Sequence, residues 1–223
     1  VLDGRVMRVP LTLRDHIDRA ERAYPDRLAV IDEPDQPADP LPQQTYRELA
    51  ERARAQAAGL DSLGVGHGER IAIVSQNSAR LLSSFFGVSA YGRHLVPVNF
   101  RLRAPEVEHI VEHSGATVLQ VDPELDDEHA TITAPQPFVL GAESDEALHD
   151  FDLEPEPWQP EEEAIASINY TSGTTARPKG VQLTHRNLWI NSTVFGWQLG
   201  ISDRDVLLHT LPQFHVNGWT IPY

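Results

Sequence analysis

Cysteine is absent from all 223 residues, which excludes disulfides and thiolate zinc sites. Lysine is nearly absent as well: Lys179 stands alone against 17 arginines. The 33 acidic residues outnumber the 18 basic ones, and a net charge of −15 argues against a nucleic-acid partner. Much of that charge is local, because Glu143 to Glu163 holds ten acidic residues and no Lys or Arg, leaving −5 for the rest. No apolar run approaches the length of a membrane span. Val1-Leu2-Asp3-Gly4-Arg5 carries no signal-peptide core, so a cytoplasmic protein is expected.

What is present suits a core of ordinary size: 40% of residues are hydrophobic, enough for one large domain or two small ones. Thr12 is placed to cap a helix that Pro25 stops. Leu28 to Ile31 reads as a strand. Thr45-Tyr46-Arg47-Glu48 is a capping box opening a helix to about Leu63, ended by Gly64 and Gly66. Strands then alternate with helices: Arg70 to Val74, a helix over Ser78 to Tyr91, Leu95 to Val98, a helix from Pro105 through His113, and Thr117 to Val121. That alternation predicts a parallel sheet. Phe138 to Leu140 is a further strand. His109 and His113 share helical spacing, but no third ligand lies near and surface histidines are the simpler reading. Glu143 to Glu163, with Pro155, Pro157 and Pro160, reads as a solvated connector rather than a binding tail.

The residues that carry chemistry come next. A β-prone run from Ala164 to Tyr170 leads into Thr171-Ser172-Gly173-Thr174-Thr175-Ala176-Arg177-Pro178-Lys179-Gly180. Four hydroxyls within five residues, a glycine among them and the sole lysine after a proline are what a phosphate chain needs from a loop. A plain Gly/Ser/Thr-rich surface hairpin is the competing reading. A Walker A loop is excluded, since Pro178 precedes the lysine and Gly180 follows it. Val181 to Thr184 reads as a returning strand, so the loop sits on a hairpin tip. Thr184 then caps a helix to about Leu199. Further on lies Leu211-Pro212-Gln213-Phe214-His215-Val216-Asn217-Gly218-Trp219, in which a lone histidine is ordinarily a satisfied core residue.

Tyr170 to Val181 closely resembles the phosphate-loop signature of the acyl-adenylate-forming (AMP-binding) superfamily, which includes acyl-CoA synthetases, luciferases and peptide-synthetase adenylation domains. Ala176 stands where that family usually has glycine, and its methyl group restricts the turn. Asn77-Ser78, Val96-Pro97-Val98-Asn99, Arg101-Leu102 and Pro105-Glu106 fall in the family's usual order. Phe-His-Val-Asn-Gly-Trp is most similar to the long-chain and medium-chain fatty-acyl-CoA synthetases.

The resemblance implies a layered α/β fold, with a parallel-rich sheet flanked by helices and the phosphate loop on a hairpin tip. It covers the N-terminal part of the large adenylating domain. Residues 1–142 would be a first α/β subdomain, 143–163 the acidic connector and 164–223 the start of the phosphate-loop subdomain. The rest of the large domain and the small C-terminal domain lack counterparts here. The implied reaction joins a carboxylic acid to ATP, giving acyl-AMP and pyrophosphate, then to coenzyme A as a thioester. Thr171, Ser172, Gly173, Thr174, Thr175, Ala176, Lys179 and Gly180 would hold the phosphates, with Thr171 also reaching Mg2+. His215 would orient the acyl carboxylate as the catalytic residue, and Val216 and Trp219 would line and gate the acyl site. A lipid substrate is compatible with peripheral membrane contact. Aryl or amino-acid substrates, a carrier-protein acceptor, and a non-catalytic nucleotide-binding remnant stay open as alternatives. A chain ending at Tyr223 is expected to be inactive and either homodimeric through its apolar end or poorly soluble.

Overall fold

The computed structural model describes residues 9–129, 131–159, 161–171, 178–215 and 218. Its main sheet has six strands, and a small antiparallel pair lies apart, formed by β1 (Leu28–Val30) and β2 (Gln44–Thr45). The main sheet runs in the order β6-β5-β3-β4-β7-β8, where β3 is Arg70–Val74, β4 His94–Val98, β5 Val118–Val121, β6 Gln136–Val139, β7 Ile165–Thr171 and β8 Lys179–Thr184. Every neighbouring pair is parallel except β7 and β8, which form the expected hairpin. β6 is an edge strand, which is where Pro137 is tolerated.

The strand sequences explain the layering. Ile71, Ile73, Leu95 and Val118 face one side and join a core with Leu13, Leu49, Leu60, Leu81 and Phe85. Ala72, Val74, Val96, Val98, Leu119 and Val121 face the other side and join Val107, Ile110 and Val111. Strands buried on both faces read as continuous apolar runs, as β3, β4 and β5 do. The first face carries α1 (Leu13–Ala23), α2 (Tyr46–Ser62) and α3 (Ala79–Gly87); the second carries α4 (Ala104–Ser114). The predicted capping box forms: Thr45 N–H donates to Glu48 Oε2 at 2.7 Å and Glu48 N–H to Thr45 Oγ1 at 3.3 Å. Gly115, at φ +64°, closes α4 in the left-handed conformation that favours glycine.

Two expectations are revised. The helix expected over Ser78 to Tyr91 ends at Gly87 and tightens into a 3-10 turn at Ser89–Tyr91. Ser89 Oγ donates to Ala166 O at 2.8 Å there, and a Cβ on Gly87 would lie 2.2 Å from Gln56 Oε1, so the contact with α2 fixes the break. The stretch read as a solvated connector is exposed over most of residues 151–159 but is anchored at several points. Its start forms α6 (Ala142–Leu148), which follows the short α5 (Asp126–His129). Asp145 on α6 accepts from Arg52 and from Arg80, the latter at 2.9 Å, and all three side chains are largely buried. Trp158 packs against the ring of His185 at 5.1 Å and lies where a Cβ on Gly92 would be. Opposite charges and a ring with a seat bind this acidic stretch to the first half of the chain.

β4 and β7 lie side by side in the sheet, paired at Leu95↔Ser167, and Pro97 has no N–H to add to that ladder. α7 (His185–Leu199) follows β8, with Thr184 accepting from Asn187 N–H as its cap.

Candidate active site

β3, β4 and β7 run parallel and end level with one another, as Val74↔Val98 and Leu95↔Ser167 require. Their carboxyl ends therefore form one edge of the sheet, the edge at which open α/β sheets bind ligands. Thr171 ends β7 at this edge, and Lys179 begins β8 directly opposite it in the hairpin. Both are exposed. Ser172, Gly173, Thr174, Thr175 and Ala176 lie outside the described residues, as do Val216 and Trp219. Gly180 sits behind the hairpin's mouth, where a Cβ would press to 3.0 Å from Ile168 Cγ2 and 3.1 Å from the Tyr170 ring.

The second motif is laid across the same edge. Asn77, just after β3, donates from Nδ2 to Leu211 O at 2.8 Å and to His209 O at 3.2 Å. Its Oδ1 accepts the N–H of Gln213 at 2.8 Å. Gln213 is buried, and its Oε1 accepts from Ser78 N–H at 3.2 Å. Phe214 meets Phe100, just past β4, edge to face at 5.7 Å. The chain then turns: His215 N–H donates to Pro212 O at 3.1 Å, and Gly218 N–H to His215 O at 2.9 Å. A Cβ on Gly218 would lie 2.3 Å from Pro212 O, so this turn needs glycine there. The His215 side chain is exposed at the edge. Thr171, Lys179 and His215, up to 44 positions apart in the chain, thus come to one edge of one sheet.

Sequence reasoning gave no role to several groups here. Asp122 follows β5, is buried, and accepts from Ser75 Oγ and Glu124 N–H; burial pushes its carboxyl above the usual range. An aspartate before a proline at a strand end is the signal for such a turn. Tyr170 binds His113 Nδ1 through its hydroxyl at 2.7 Å and ties β7 to α4, with burial raising its phenol. The His113 ring also lies 5.6 Å from that of His109. Tyr170 and His113 border a polar groove of about 290 Å3 that Arg70, His94, Ile168 and Gln182 also line. That groove lies beside α4 rather than at the carboxyl edge. Among the described residues no cluster of three or more His, Asp or Glu side chains is arranged for a metal ion, and no helix is long and apolar enough to cross a membrane.

Comparison with known proteins identifies the family and the fold. The family model described as AMP-binding enzyme matches residues 17–223. A long-chain-fatty-acid–CoA ligase of Thermus thermophilus is 36% identical over 193 residues, covering 80% of this chain and 35% of that protein. A peroxisomal acetate/butyrate–CoA ligase of Arabidopsis thaliana is 34% identical over 237 residues, covering 93% of this chain and 40% of that protein. The crystal structure of a long-chain-fatty-acid–CoA ligase from Archaeoglobus fulgidus superposes with a TM-score of 0.84 at 28% identity, over 97% of this chain and 45% of that one. An o-succinylbenzoate CoA synthetase of Bacillus subtilis in complex with its acyl-adenylate intermediate gives 0.75 at 28% identity, over 95% of this chain and 52% of that one. The chain spans well under half the length of the two curated relatives.

Proposed function

Since the chain belongs to the AMP-binding enzyme family, whose acyl-CoA ligases are its relatives, we propose that it is the N-terminal part of an ATP-dependent fatty-acyl-CoA synthetase. The observation that carries this reading is the meeting of the Thr171/Lys179 hairpin and the His215 turn at the carboxyl edge of the sheet. In the first step a carboxylate oxygen attacks the α-phosphorus of ATP, forming the acyl–phosphate bond and expelling pyrophosphate. In the second the thiol of coenzyme A attacks the acyl carbon and expels AMP. Such chemistry asks a protein for positioning and charge compensation.

Lys179, with Thr171, Ser172, Gly173, Thr174, Thr175, Ala176 and Gly180, would hold the β- and γ-phosphates that leave as pyrophosphate. Mg2+ would arrive on those phosphates, with Thr171 the residue to meet it. His215 would orient the acyl carboxylate, and Val216 and Trp219 would line and gate its entry. Residues 1–142 would be a first α/β subdomain and 164–223 the start of the phosphate-loop subdomain, joined through 143–163. The acetate/butyrate–CoA ligase among the relatives favours a second reading, in which the acid is short. ATP–pyrophosphate exchange by the full-length protein, measured with acetate, dodecanoate and benzoate, separates these readings. The fatty-acyl reading requires dodecanoate to give the highest kcat/KM, and exchange with none of the acids would overturn the enzymatic assignment.

A further inference from the structure

We infer that Asn77 and Gln213 are positioning residues, a reciprocal pair of amides that sets the His215 turn over the carboxyl ends of β3 and β4. This rests on the reading of His215 as the group that orients the acyl carboxylate. The two residues are 136 positions apart, yet four hydrogen bonds join their neighbourhoods. Asn77 uses its amide fully: Nδ2 donates to two carbonyls, of His209 and Leu211, and Oδ1 accepts from Gln213 N–H. Gln213 answers by accepting Ser78 N–H, at the residue that caps α3. Only a side chain with both donors and an acceptor can fill the place of Asn77.

The anchor is itself held. Asn77 O accepts from Gln36 Nε2 at 2.8 Å. Asp32 accepts the N–H of Ala79 at 2.9 Å and that of Leu41 at 3.0 Å, tying the loop before β2 to the start of α3. Arg80, one residue further, donates to Ala38 O, Asp39 O and Asp145. The start of α3 is therefore fixed to the buried half of the molecule. By contrast, Val206, Leu207 and Leu208, just ahead of the clamped segment, are exposed and pack on little. This clamp and the Phe214–Phe100 edge join the His215 turn to the sheet. A catalytic group on a turn that such hydrogen bonds set in place loses alignment when one is cut, and misplacement of about 1 Å costs roughly 100-fold in rate.

The test uses the full-length protein with two readouts, hydrogen–deuterium exchange without ligand and ATP–pyrophosphate exchange with acetate, dodecanoate and benzoate. Asn77→Asp keeps the shape but sets a carboxylate against two carbonyls. It should raise deuterium uptake over residues 206–215 and lower kcat by roughly 10- to 100-fold, with the KM for ATP changing less than about 2-fold. Gln213→Leu should do the same, and Gln213→Glu, which keeps the acceptor for Ser78 N–H, should recover most of the rate. Wild-type exchange with variants of unchanged kcat would overturn the positioning role and leave the enzymatic reading standing. A lower Tm with unchanged kcat per folded molecule would also overturn it. No exchange by the wild type with any of the three acids would overturn both.

Discussion

Two helices of similar length, α2 and α7, do different work. α2 spans 17 residues, ten of them buried, including Ala53, Ala57 and Leu60, which no solvent reaches. α7 spans 15 residues, of which only His185, Leu188 and Ser192 are buried. Trp197 on α7 is 83% exposed. The same contrast separates β3 from β8, four of whose residues against three are at opposite extremes: Ile71 to Val74 are buried, while Lys179, Val181 and Gln182 are exposed. The half built around α2 is a finished core that fixes the strand ends. The half built around β8 and α7 carries the Thr171/Lys179 hairpin and the His215 turn and contributes little burial. Stability and the proposed chemistry are thus assigned to different parts of the chain.

The sharpest test of that division is in the core. Phe85 is fully buried between α2 and the sheet. Phe85→Ala should cost about 4 kcal/mol of unfolding free energy, read as a lower denaturant midpoint with unchanged slope. A loss below about 1 kcal/mol would mean that this half is not the closed unit described.

Acid tests whether the two halves share any stability. His149 follows α6, His185 begins α7, and burial pushes both imidazoles down to about 4. His185 Nδ1 accepts the N–H of Leu13, so it joins α7 to α1. The folded state therefore prefers both rings neutral, while the unfolded chain binds protons near 6.5. Their contribution is complete above about pH 6.5 and is lost as pH falls toward 4, by about 3 kcal/mol per ring at the limit. Denaturation at pH 7 and pH 4.5 measures the slope. His185→Asn, which keeps an acceptor, should flatten it, and an unaltered slope would detach α7 from the cooperative unit.

Lys179 probes the other half. Its side chain is exposed, so Lys179→Ala should leave Tm within about 1 °C. If its charge meets the leaving pyrophosphate, kcat for adenylation by the full-length protein should fall on the order of 100-fold, with a smaller rise in the KM for ATP. A change confined to KM would remove it from the reacting geometry.

The same division governs what the sequence revealed. The Thr45–Glu48 box, the Gly115 stop and the β7–β8 hairpin depend on residues a few positions apart, and local patterns disclose them. The Thr171–Lys179 loop and the Pro212–Trp219 motif stand out in the sequence because their residue types and spacing are distinctive. What stayed hidden depends on distant partners. Asp145 meets Arg52 and Arg80 at separations of 93 and 65 positions, so a run of acids looked merely solvated. Trp158 gives no sign of its seat by Gly92 and His185. The Asn77–Gln213 pairing is hidden for the same reason, since an asparagine after a strand and a glutamine after a proline are each unremarkable alone.

The smallest expected effect lies on the exposed side. Val206 is 92% and Leu208 83% accessible, so in the folded chain these side chains leave little water-excluded area to lose. Hydrophobic stabilisation scales with area removed from water, which is why the same class of residue is costly to truncate in α3 and cheap to replace here. Replacing both with serine should change the unfolding free energy by less than about 0.5 kcal/mol. Contiguous apolar surface also promotes association. Residues 1–223 purified alone should therefore sediment closer to the 24.9 kDa monomer after the replacement than before it. A stability loss above about 1 kcal/mol would show that Val206 and Leu208 pack against this half in solution, and the contrast between α2 and the segment beyond α7 would then be weaker than their exposures indicate.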